Sequence, residues 1–111
     1  MALVTYTGNN VTFTDDEKLR WIIATGDIRL DASFGRDLLK EEGQTTLRWL
    51  CRDFRNGLVD LPGTIIRGPL GERALMTLCY DTISGFWRPG YRHLRLSQQY
   101  PRIPSMVLRL H

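Results

Sequence analysis

Histidine, cysteine and lysine are all scarce in this chain, with two of each. Cys51 and Cys79 are too few for a disulfide framework, and a tetrahedral zinc site would need both histidines as well. His93 and His111 stand at no finger or ribbon spacing, so no metal is expected. The cysteines, each among apolar neighbours, read as small buried residues. The same scarcity bears on catalysis. Only His93 is placed to serve as a base, no G-x-S-x-G turn occurs, and Asp15-Asp16 and Glu41-Glu42 read as caps and solvated faces. GPLGER at 68–73 lacks the spacing and Lys of a phosphate loop and reads as a joint leading into a helix. A non-enzymatic protein without a cofactor is expected.

Long apolar runs are also missing. No stretch approaches the ~20 residues of a transmembrane helix, and MALVTYTGNN has no basic region followed by an apolar one, so no signal peptide is expected. These absences lead to the expectation of a cytoplasmic or nuclear protein that is not secreted.

Acids are missing from one part only. Residues 1–81 hold ten Lys/Arg and twelve Asp/Glu, a net of −2; residues 82–111 hold five Arg and no acid, a net of +5. An acidic body with a basic C-terminal segment points to an anionic partner, unless the segment folds back on the body. Thirteen of the fifteen basic residues are Arg, whose planar fork suits phosphate, carboxylate and aromatic faces. Coding bias is the other source of such a composition, and a compact, Arg- and Leu-rich chain would suit a viral accessory protein.

The pattern along the chain predicts a single α+β domain over residues 1–111. Leu3–Thr7 and Val11–Thr14, joined by Gly8-Asn9-Asn10, read as a hairpin. Thr14 with Glu17 is a capping box that starts a helix running to about Ala24, with Gly26 as its stop. Ile28 and Leu30 suit a short strand, and Ser33 would cap a short helix holding Leu38 and Leu39. Thr45–Asn56 carries Leu47, Cys51 and Phe54 at helical spacing. Residues 58–71, rich in Pro and Gly, read as an irregular crossing, and Gly71–Ser84 as a third helix. The tail alternates, with Leu94, Leu96, Met106, Leu108 and Leu110 on one face, and reads as a second hairpin-like pair. Isolated hairpins are marginal, so both pairs are expected in one antiparallel sheet packed by about three helices.

The remaining features suggest binding. Trp21 and Trp49 each follow a Leu-Arg pair and fall about 200° from that leucine around a helix, off the apolar stripe. Core burial or an interface would explain them; a homodimer through both is expected. Around Pro89-Gly90, read as a type II turn, stand Trp87, Arg88, Tyr91 and Arg92, while Ile83 and Phe86 plug the core edge. With Arg95, Arg109 and the helical row Arg48, Arg52, Arg55, they form a candidate Arg/aromatic surface for nucleic acid, RNA above all. The same composition marks protein hot spots, so a module that sequesters a host or cellular protein is the alternative, with a matrix-like protein at an anionic membrane face behind it.

Overall fold

The computed structural model describes residues 1–5, 14–54, 57–94 and 103–109. The elements are β1 Ala2–Val4, α1 Asp15–Thr25, β2 Ile28–Arg29, α2 Ala32–Lys40, a 3-10 turn Glu42–Gln44, α3 Thr45–Leu50, β3 Leu58–Arg67, β4 Arg73–Asp81, β5 Phe86–Leu94 and β6 Ser105–Leu108. Six strands form one sheet in the order β1-β6-β3-β4-β5, with β2 also paired to β6. The domain is thus mixed α and β with three helices. Its sheet is mixed as well: β3 and β6 run parallel, meeting at Asp60 and Ser105, and the other pairs are antiparallel.

Local signals set the helix ends. The Thr14 hydroxyl accepts the Glu17 N–H, three acids fill the first turn of α1, and Gly26 at φ 77° closes it. The cap of α2 is Asp31, whose carboxylate accepts the Phe34 N–H at 2.9 Å, in place of Ser33. α3 stops at Leu50, short of the expected Asn56. Arg52 Nη1 donates to the Trp49 carbonyl at 2.7 Å, and the chain continues in turns, the Phe54 N–H bonding the Cys51 carbonyl at 3.0 Å.

Two segments differ from expectation in kind. Residues 58–67 form β3, and Pro62-Gly63 falls at a register shift between Leu61 and Ile65. There the Gly63 N–H bonds the Leu30 carbonyl at 2.9 Å, and a Cβ on Gly63 would stand 2.7 Å from the Arg29 carbonyl oxygen. The Pro-Gly pair therefore bends a strand so that β2 can dock, rather than ending it. Residues 73–81, expected as a helix, form β4. Its Leu75 and Leu78 lie on opposite faces, and both are buried. A strand covered on both sides loses its alternation and imitates helical spacing.

The layering follows from parity. Met106 and Val107 are successive residues of β6, so they face opposite sides. Met106 belongs to the main core under α2 and α3, with Leu38, Leu47, Cys51, Val59, Leu61, Leu78 and Trp87. Val107 joins Val4 and Ile22 of α1 in a small second cluster, against which Trp21 packs half-buried. The sheet is sandwiched between α1 and the α2–α3 pair.

The C-terminal hairpin expectation changes, and the N-terminal one lies largely outside the described residues. The second strand of the N-terminal pair falls in residues 6–13, outside the described residues, and β1 pairs with β6. The tail strands are not partners: β5 pairs with β4 at the sheet edge, and β6 lies between β1 and β3. Pro89-Gly90 is not a turn but lies within β5, where an edge strand tolerates proline. Among the described tail leucines, Leu94 is buried and Leu108 half-buried.

Burial pushes the Cys51 thiol up to about 12. Cys51 is therefore expected to resist a thiol reagent at pH 8 in the native protein and to react once denaturant is added. Half-buried Cys79 reacts first. Counting native-state thiols with a chromogenic disulfide checks this; two fast thiols would contradict it.

Candidate interaction surface and buried ion cluster

Of the three described arginines of the basic segment, Arg92 turns inward, while Arg88 and Arg109 stay exposed. Arg92 reaches Asp60 with two bonds, Nε to Oδ1 at 3.0 Å and Nη2 to Oδ2 at 2.6 Å, and its Nη2 lies 2.7 Å from Asp15 Oδ1. Lys18 Nζ donates to Asp60 Oδ2 and to the Ile103 carbonyl, the latter at 2.7 Å. Asp15, Lys18 and Asp60 are buried, and the side chain of Arg92 is 9% exposed. Two acids and two bases thus cancel within the layer between α1 and the sheet. Burial lowers the Lys18 pKa below the usual lysine range, and Asp60 opposes that shift. Gly90 is level with Thr77 and Asp60 on adjacent strands, and a Cβ there would stand 2.6 Å from Cys79 Sγ and 3.1 Å from Thr77 Oγ1.

Other pairs neutralise more of the segment. Arg109 grips Asp27 at 3.0 and 2.9 Å. Arg88 lies 3.4 Å from Asp81, but its side chain is 69% exposed, so this contact is weak. Asp81 itself ties the β4–β5 turn, accepting the Ile83 N–H at 2.9 Å; that bond and one from the Ser84 N–H hold its carboxyl below the usual range. Through Arg92 and Arg109 the described part of the basic segment is thus tied to carboxylates of the acidic body. Arg55 and Arg95 lie outside the described residues.

The aromatic candidates separate. Trp87 is 2% exposed, tilted against Tyr80 at 5.4 Å between ring centres, and is a core residue. Its alternation places it under α2 and α3, which removes it from any stacking surface. Trp49 is 66% exposed, with the Arg52 guanidinium 4.9 Å over its ring. On the same helix Arg48 donates to the Gly85 carbonyl at 2.8 Å and lays its guanidinium 4.5 Å over Phe86. Ile83, in that turn, is 97% exposed. Ile83 and Phe86 thus do not plug the core. The end of the α2–α3 layer meets the β4–β5 turn through Arg48 on Phe86 and Gly85, with Trp49 and Arg52, stacked on each other, next to Arg48 in sequence. Tyr91 stands further along β5, edge-on to His93 at 5.7 Å.

Sequence reasoning missed the ion cluster. Its signal was Asp60, the one charge in the apolar run Leu58–Leu61. Among the described residues, no group of three or more His, Cys, Asp or Glu side chains is placed to hold a metal, and no helix is long and apolar enough to cross a membrane. GPLGER joins two strands, so no helix N-terminus stands there to hold an anion. Comparisons with protein-family models, with curated proteins and with solved structures found no match.

Proposed function

We propose that this protein is a non-enzymatic interaction module that binds another protein through the face built by α3 and the β4–β5 turn. The observation that carries this reading is Trp49, left two-thirds in solvent under a stacked Arg52 and beside the Arg48–Phe86 pair. A large exposed ring is costly in water, and Trp with Arg is the composition of binding hot spots. Arg48 and Arg52 border the exposed Trp49 and Phe86, so the matching partner surface is apolar with carboxylates at its rim. RNA is the less favoured ligand, because Arg92 and Arg109 already hold carboxylates of the same chain. The same reading puts the protein in the cytosol or nucleus, where a half-buried free thiol such as Cys79 persists.

Affinity capture from nuclease-treated extract, comparing wild type with Trp49→Ala, tests this. A specific protein partner should bind at least about thirtyfold more weakly to the variant, the equivalent of ~2 kcal/mol at a hot spot. Partners that disappear with nuclease, or that ignore Trp49→Ala, would contradict the proposal.

A further inference from the structure

Among the described residues, the outer edge of β5 is protected at one end and has no strand beside its middle. Gln44 lies at the joint of the 3-10 turn and α3, in a left-handed conformation with φ 48°. Its side-chain amide donates to the Trp87 carbonyl at 3.0 Å and accepts the Trp87 N–H at 2.8 Å. The amide thus stands where a neighbouring strand would stand. Both bonds lead away from β4, so the main-chain groups of Trp87 point outward. In an antiparallel strand this direction alternates, and the β4–β5 register has no shift. The main-chain groups of Pro89 and Tyr91 therefore point outward too. Proline has no N–H to offer there. Tyr91 has both groups, no hydrogen bond from another described element reaches them, and its side chain is 65% exposed. An open strand edge of this kind is a template for pairing.

We infer that this edge pairs with a second copy of the chain, antiparallel, with Tyr91 opposite Tyr91 on a two-fold axis. Self-complementarity selects this occupant. In that register the two tyrosines exchange two main-chain hydrogen bonds, and each ring gains the other as a neighbour on the same face. Pro89 falls opposite His93, so the missing donor lies at the margin of the pairing. Arg88 falls opposite Leu94, and Arg92, turned to Asp60, opposite Gly90, so no like charges meet. A register centred on Pro89 would have no donor at its centre and would set Tyr91 against the Gln44-covered Trp87. A register centred on Gly90 would pair groups already bonded to β4. Gln44 limits the pairing to the segment around Tyr91 and keeps a longer foreign strand from adding on. This interface differs from the expected one through Trp21 and Trp49, and it does not depend on the Trp49 face having a partner.

Sedimentation equilibrium of the purified chain tests the inference. Wild type should show a monomer–dimer equilibrium, and Tyr91→Pro should be monomeric at the same concentrations. Of the main-chain hydrogen-bonding groups that substitution removes an outward N–H alone, as Pro89 already does, so the donors and acceptors of the β4–β5 ladder are kept; it also removes the ring that faces its copy. Trp49→Ala should leave the dimer mass unchanged. As a check that does not need Tyr91→Pro to fold, Tyr91→Cys in a Cys79→Ser background should cross-link under mild oxidation at least about tenfold faster than Ile83→Cys in the same background. Residues directly opposite in a hydrogen-bonded pair lie about 5.5 Å apart at Cα, within disulfide reach. A wild-type monomer at all concentrations, a dimer that survives Tyr91→Pro, a dimer dissolved by Trp49→Ala, or equal cross-linking at positions 83 and 91 would each overturn the inference.

Discussion

Asp60→Ala is expected to destabilise the fold by about 3–5 kcal/mol, the usual cost of breaking a buried charge pair from one side. Asp60 is fully buried and holds both Lys18 and Arg92. Its removal leaves two buried cations with Asp15 as the one remaining carboxylate of the cluster. With a total stability on the order of 5–15 kcal/mol, such a loss brings the protein near the unfolding midpoint. Urea denaturation by circular dichroism gives the value, and a loss under about 1 kcal/mol would show the cluster to be solvated. Removing all four charges together is a different experiment. A variant with Asp15, Lys18, Asp60 and Arg92 all replaced by apolar residues of similar volume should recover much of the loss, because desolvation offsets much of the attraction in such a group.

Trp87→Ala should cost about 3–5 kcal/mol, whereas Trp49→Ala should change stability by no more than about 0.5 kcal/mol. The contrast distinguishes the core from the exposed face. Trp87 fills the space among Leu38, Leu47, Cys51 and Leu78, and its truncation leaves a cavity under two helices. Trp49 packs chiefly on its own Arg52. Parallel thermal melts of the two variants decide the matter; similar losses from both would contradict the assigned burial.

The helices were readable where a short motif carries its own hydrogen bonds. Thr14-x-x-Glu17 and Gly26 bound α1 through groups three residues apart, and no tertiary contact is needed to predict them. β4 was not readable, because what makes it a strand is its position between β3 and β5. Covered on both faces, it shows Leu75 and Leu78 three apart, a spacing that a helix also has. Pro62-Gly63 and Pro89-Gly90 were read as breaks for a related reason. Proline and glycine end regular structure unless a bulge or a sheet edge accommodates them, and edges are fixed only by the whole topology. At the candidate site, the composition of Arg and aromatic residues was visible, but their direction was not. Trp87 and Trp49 look alike in sequence; strand alternation takes one into the core, and the short α3 leaves the other in solvent. The missing acids of the tail were a misleading signal, since the carboxylates for Arg92 and Arg109 come from α1, β3 and the turn after α1.

Arg92 and Arg109 are held by carboxylates of the same chain, and the proposed contact surface is therefore the Trp49 face rather than a cationic tail. Titrating labelled single-stranded RNA into the purified protein by fluorescence anisotropy, across a salt series, tests this most directly. No saturable binding is expected at physiological salt. Saturable binding with a log–log salt slope of roughly −3 to −5, the value for a handful of phosphate contacts, flattened by replacing Arg48, Arg52 and Arg88 with Gln, would contradict it.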